Sequence, residues 1–142
     1  MFAQAFREVA SLIEVDLANF NVKLGDASMM FYNTTAIKII NCVLDFSEST
    51  NVANMFIDCT ALEEVRFKQH SLSLSISVAQ SSKLSANSIQ SIFDGLATVE
   101  TAQTLTLPKT LSTEAEAVVT ANIQEINGEI RIKGKERRPL VR

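Results

Sequence analysis

The sequence predicts an α/β solenoid, with short parallel strands stacked in one sheet. Its returns are irregular in the N-terminal half and helical in the C-terminal half. Three observations predict this. Phe6, Phe31 and Phe56 fall 25 residues apart. Each is followed six, nine and eleven residues later by apolar side chains: Leu12, Val15, Leu17; Ile37, Ile40, Cys42; Leu62, Val65, Phe67. From residue 72 to residue 133, period-two stretches then alternate with helical ones. Repetition at a period of about 20–50 residues marks stacked units, none able to bury its apolar face alone.

In chain order, residues 12–17, 37–42 and 62–67 are expected as adjacent parallel strands. The three phenylalanines should be buried in equivalent places, and Leu17, Cys42 and Phe67 should share one inward position. Leu72-Ser-Leu74-Ser-Ile76-Ser-Val78 alternates at period two, the mark of a strand with one buried face. Between 85 and 97, Ile89, Ile92, Phe93 and Leu96 form one helical stripe, with Ser85 as N-cap and Gly95 near the end. Thr104 to Leu107 gives a short strand closed by Pro108. A second helix is expected over 112–126, where Thr113 and Glu116 have capping-box spacing and Val119, Ile123 and Ile126 share a face. Gly128 ends it, and Glu129 to Lys133 makes the last strand. Strand centres near 76, 105 and 131 lie 29 and 26 apart, so the unit lengthens where a helix replaces an irregular return. The junction between 67 and 76 is too short for a full unit.

The L-x-x-[VI]-x-[LCF] stretch resembles the strand of the leucine-rich repeat. The residues before each strand carry a finer likeness. Asn51-Val-Ala-Asn-Met55-Phe56-Ile-Asp-Cys59-Thr-Ala-Leu62-Glu-Glu-Val65 is similar to the N-V-x-N-M-F-x-x-C-x-x-L-x-x-[VIL] signature of BspA-like leucine-rich repeat proteins. Met30-Phe31-Tyr-Asn-Thr34-Thr-Ala-Ile37 repeats it with Thr34 in the cysteine's place, and Ala5-Phe6 opens a degenerate copy. The resemblance implies that each Met-Phe pair and the cysteine point inward and stack on their counterparts. The later pattern L-S-x-x-S-I-Q-x-I-F-D-G-L-A, then T-A-Q-T-L-T-L, is similar to leucine-rich repeat proteins encoded by phages and prophages of gut bacteria. That likeness implies a tail- or surface-associated role.

Apolar content of 46% and charged content of 20% are globular values, and four glycines with two prolines leave no linker. Residues 1–133 therefore read as one domain and 134–142 as a basic C-terminal tail. Residues 131–142 hold six Lys or Arg against one acid, net +5; the remaining 130 hold seven against fifteen, net −8, which together make −3. Such a tail suits an acidic partner, or simply a solvated terminus. No aromatics are interleaved with its bases, which argues against nucleic acid. No signal peptide and no membrane span are expected. The chain would be virion-borne or cytoplasmic if full length, and cell-surface if a segment of something larger.

Chemistry is sparse. Cys42 and Cys59 lack C-x-x-C spacing and read as buried small hydrophobes, with a disulfide or a nucleophile as the alternative. His70 reads as a turn residue, and Glu63-Glu64 and Glu114/Glu116 as solvated faces. No phosphate loop or nucleophile elbow occurs, so no catalytic, cofactor or metal site is expected. The informative surface is the outward strand face: Glu14 and Asp16, Ile39 and Asn41, then Glu64, Arg66, Ser73, Ser75, Ser77, Thr104, Thr106, Arg131 and Lys133. From Glu64 onward these are the candidate binding residues. Their hydroxyl-rich middle suits a protein or glycan ligand, and soluble side chains on an idle sheet would look the same. Phe2, Phe6 and Val9 open the chain without a polar cap, which points to self-association, to neighbouring subunits, or to a preceding segment.

Overall fold

The period written in the sequence reappears in the backbone. Gln4, Met29 and Asn54 have φ of 58°, 55° and 58°, and Glu8, Asn33 and Asp58 have φ of 59°, 56° and 63°. Left-handed conformation is uncommon outside glycine and best tolerated by Asn and Asp, so its recurrence every 25 residues shows three turns of one design. The structure, a computed structural model, describes residues 3–123 and 130–134, without the side chains at 18–21, 130 and 133. Phe2, Ile126, Gly128, Glu129 and the tail from Lys135 onward lie outside the described residues.

Each turn is hydrogen-bonded to the next in register. Gln4 N–H donates to Ser28 O (2.9 Å) and Met29 N–H to Ala53 O (2.9 Å), while Phe6 N–H reaches Met30 O (2.8 Å) and Phe31 N–H reaches Met55 O (3.0 Å). Inside this ladder the aromatic rings form a column. Phe6 stacks on Phe31 at 5.4 Å, and Phe31 on Phe56 at 5.9 Å, with interplanar angles of 8° and 10°. Phe67 continues the stack from Phe56 at 6.4 Å and meets Phe46 edge-on at 4.8 Å. Phe31, Phe56 and Met55 are buried, as the pattern predicts. Phe6 is only partly buried, because it ends the column and no described ring covers its second face.

The strands are β1 (Glu14–Lys23), β2 (Ile39–Asp45), β3 (Glu64–Phe67), β4 (Ile76–Ser77), β5 (Gln103–Thr106) and β6 (Ile130–Lys133). The helices are α1 (Ala86–Gly95) and α2 (Thr113–Ile123). All the strand pairings among the described residues are parallel. Glu14 pairs with Ile39 and Ile39 with Glu64, which keeps the 25-residue step. The expected strand 12–17 extends instead to Lys23, and its register slips between Asp16 and Asn21 against Asn41 and Val43. This irregularity overturns the inward place given to Leu17. Leu17 is 43% exposed, whereas Cys42 and Phe67 at the matching positions are 2% and 4% exposed.

Among the described residues the strands also form two three-stranded sheets, β1-β2-β3 and β4-β5-β6, rather than one. The physical reason is α1. The fourth unit keeps two hydrogen bonds of the turn but not its left-handed pair: Ser81 N–H donates to Val78 O and Leu84 N–H to Ser81 O, as Cys59 does to Phe56 and Leu62 to Cys59. Ser85 N–H then reaches Glu63 O (2.9 Å) where Glu63 N–H had reached Lys38 O (2.8 Å). Ser85 is also the N-cap of a helix, its side chain accepting from Ser88 N–H, so α1 begins where a fourth strand would. Its hydroxyls do a strand's work along the β3 edge. Val65 N–H donates to Ser88 Oγ (2.9 Å) and Phe67 N–H to Ser91 Oγ (2.9 Å). Ser88→Ala leaves a buried amide without its acceptor and is expected to cost about 1–3 kcal/mol, measured by urea unfolding; an unchanged midpoint would sink this account of the edge.

The C-terminal half departs from expectation at its boundaries. Of the alternating stretch 72–78 only Ile76 and Ser77 form a strand, although Leu72 bridges Leu96 in parallel. Gly95 sits against β3, where an added Cβ would lie 2.6 Å from Phe67 Cβ, and this close approach brings the helix onto the strand. Ser112, not Thr113, caps α2: Ala115 N–H donates to Ser112 Oγ (3.2 Å), and Leu111 N–H to Glu116 Oε2 (3.2 Å). The two helices are joined by paired amides, Asn122 Nδ2 donating to Gln90 Oε1 (2.9 Å) and Gln90 Nε2 to Asn122 Oδ1 (3.3 Å).

Candidate functional site

Period-two alternation sends every second strand side chain outward, and on the first sheet those side chains are tied to one another. Asn41 Nδ2 donates to Asp16 Oδ1 (2.9 Å), and Arg66 Nη2 donates to Asn41 Oδ1 (2.6 Å). One polar chain thus crosses β1, β2 and β3 at a 25-residue step. Glu64 is held from the other side: Ser85 Oγ and Ser88 Oγ donate to its Oε1 at 3.0 and 3.2 Å. Both Glu64 and Arg66 are exposed, so they present charge to solvent while fixed by neighbours. A side chain already held in place loses less entropy on meeting a ligand.

Of the remaining candidates, Ser77, Thr104, Thr106, Arg131 and Lys133 lie on the second sheet and Ser73 and Ser75 in the segment just before β4, so the continuous strip read from the sequence is divided. Ser73 is exposed, and Ser77, Thr104 and Thr106 are half-buried. Ser77 Oγ accepts from Ala79 N–H (3.3 Å), a local turn bond. Ser75, read from the sequence as an outward binding residue, is also a staple: its Oγ accepts from Thr104 N–H (2.9 Å) and donates to Gln103 Oε1 (3.0 Å). The sequence signal was available, since Ser75 and Gln103 are 28 residues apart, close to the step between these units. Arg131 is exposed on β6, and Lys133 lies on the same strand with its side chain outside the description.

A crevice between Leu72, Leu74, Leu96 and Leu105 lies beside Ser73 and Thr104, with an interior of ≈ 10 Å³. That is room for about one water.

The thiols are core groups. Cys42 and Cys59 are free and buried. Cys59 Sγ donates to Phe31 O (3.1 Å), as Thr34 Oγ1 does to Phe6 O (2.7 Å) and Ser81 Oγ to Cys59 O (2.9 Å). Burial pushes the Cys59 thiol up to about 12, and burial likewise raises Cys42, against the opposing influence of Arg66. A thiolate nucleophile needs the reverse. His70 is exposed in a left-handed turn with φ 57°. Among the described residues no group of three or more His, Cys, Asp or Glu is placed to hold a metal ion, and no helix is long and apolar enough to cross a membrane. Compared with protein-family models, curated proteins and solved structures, the chain matches none of them.

Proposed function

We propose that this chain is a BspA-like leucine-rich repeat solenoid acting as a non-enzymatic binding module for protein or glycan, associated with a phage tail or cell surface. The observation that carries the reading is the joint recurrence, every 25 residues, of left-handed backbone, stacked phenylalanine and outward polar side chains. A fold that repeats one rigid unit spreads a flat row of polar groups at fixed spacing, which matches a polymer or an extended peptide. The phage or surface association rests on the sequence resemblance alone.

The test uses sheet-face variants chosen for their lack of a structural bond. Ser73→Lys with Thr106→Lys is expected to abolish retention on a panel of immobilised bacterial surface glycans and peptides. Unfolding stability should change by no more than about 0.5 kcal/mol. Undiminished binding by this double variant would overturn the assignment of the face. Ser75 is unsuited to that test, because its loss would release Thr104 N–H as well.

A second reading, assembly with neighbouring subunits, is favoured by Val9, Ile13 and Leu17, which are 41%, 57% and 43% exposed on the first unit.

A further inference from the structure

The two sheets stand on different lines of the repeat. One line of backbone hydrogen bonds runs through Ile13, Lys38 and Glu63 and ends on Ser85, where α1 takes a strand's place. The other line begins at the parallel bridge between Asp26 and Asn51. A further step of 25 residues leads to Ile76, the first residue of β4. Phe46 N–H, donating to Ser71 Oγ, keeps the same step on the way. The outward face of β4, β5 and β6 is therefore a surface of its own, apart from Glu64 and Arg66.

Its charge differs as well. On the first sheet the outward acids Glu14, Asp16 and Glu64 stand against Arg66. Strands β4, β5 and β6 contain no acid and two bases, Arg131 and Lys133. Strand register sets these residues in two rows. Ser77 pairs with Thr106, and Thr106 with Lys133. Ser75 Oγ holds Thr104 N–H, and Thr104 pairs with Arg131. Each row reads hydroxyl, hydroxyl, base, stepped at the strand spacing of about 4.8 Å.

Two kinds of chemistry meet on such a surface. A guanidinium matches the two oxygens of a carboxylate or phosphate, and Arg131 is exposed. Serine and threonine hydroxyls both donate and accept, as the hydroxyls of a sugar do. Ser75, Ser77, Thr104, Thr106 and Arg131 include no apolar or aromatic side chain of the kind that anchors a protein partner. A polymer that is hydroxylated and negatively charged uses everything in these rows.

We infer that the face of β4, β5 and β6 takes an acidic polysaccharide, Arg131 receiving its carboxylate or phosphate and Thr104 and Thr106 its hydroxyls. The inference rests on the reading of this face as a binding surface and names the ligand within it.

The test is affinity electrophoresis in gels containing polygalacturonate, its methyl ester or poly(glycerol phosphate). It is run on the native chain and on a full-length form carrying Lys135→Gln, Arg137→Gln, Arg138→Gln and Arg142→Gln, in which the C-terminal bases cannot supply the charge. In both forms at least one acidic polymer should bind tenfold or more tightly than the methyl ester, and which one does so separates carboxylate from phosphate. Arg131→Gln should weaken that binding at least tenfold. Lys38→Gln removes an equal charge from an exposed base on the other line and should leave it unchanged. Arg131 is exposed, so its variant should fold, with an unchanged urea midpoint as the control. Equal binding of the methyl ester would overturn the inference, as would binding of neither acidic polymer by the form lacking the C-terminal bases. Equal effects of Arg131→Gln and Lys38→Gln would overturn it too. In each case the ligand is wrong and the face is not. The face itself fails only if Ser73→Lys with Thr106→Lys, which blocks by bulk, keeps its retention on the uncharged members of the glycan and peptide panel.

Discussion

Phe56→Ala is expected to cost about 3–5 kcal/mol, the range of large aromatic truncations in packed cores. The ring is 1% exposed and stands between Phe31 at 5.9 Å and Phe67 at 6.4 Å. Its removal takes away buried area and two aromatic contacts, each worth about 0.5–1.5 kcal/mol beyond area. The gap is also hard to refill. Met55 and Cys59 flank Phe56 within one unit whose backbone is fixed by rungs such as Phe31 N–H to Met55 O, so the walls cannot collapse without breaking the ladder. Phe6→Ala should cost much less, because Phe6 is only partly buried and stacks on one described ring. Urea unfolding of both variants checks the contrast. Equal losses, or a Phe56→Ala loss below about 1 kcal/mol, would mean that the column does not hold the units together.

That column was legible because one residue type in one place recurs three times, whereas the left-handed positions beside it, held by Gln, Met and Asn and by Glu, Asn and Asp, carry no common residue type. Helix α1 was legible for a similar local reason, its Ile89, Ile92 and Phe93 being buried as expected, while Leu96 of the same stripe is the C-cap and only partly buried. The second sheet was not. Nothing local in Ser88 or Ser91 says that their hydroxyls will accept from Val65 and Phe67. Serine is an ordinary polar residue on a helix, and its role follows only once the strand edge is beside it. The inward place of Leu17 failed for a different reason. The apolar pattern fixes which side chains alternate, but not where a strand bulges, and the slip after Asp16 moves Leu17 out of register. Among the candidate binding residues, Glu64 and Arg66 were identifiable as outward, while their ties to Ser85, Ser88 and Asn41 needed three dimensions. Ser75 illustrates the cost of reading one strand at a time, because its partner is a backbone amide in the next unit.

The Cys59 thiol should make the protein lose stability in alkali, and the window follows from its environment. Burial raises the thiol from 9.0 to about 12, with Thr34 N–H opposing and Asp58 reinforcing the shift. Below pH 9 the thiol is neutral in both folded and unfolded chains, so stability does not depend on it. Between pH 9 and 12 only the unfolded chain gives up this proton, and the folded state is progressively disfavoured. The interval corresponds to about 4 kcal/mol by pH 12 and about half of that by pH 10.5. Other groups titrate in the same range, so the informative quantity is a difference between two chains. Cys59→Thr places at this position the residue that the preceding unit already uses, where Thr34 Oγ1 donates to Phe6 O at 2.7 Å. A threonine hydroxyl can keep the bond to Phe31 O and has no proton to lose below pH 12. Stability measured by urea unfolding at pH 7, 9 and 10.5 should therefore fall more steeply for the native chain than for the variant, the curves separating only above pH 9. Parallel curves would show that the thiol ionises as readily folded as unfolded. That would contradict its burial and return Cys59 to the list of reactive groups, where rapid modification of the native protein by a thiol reagent would confirm it.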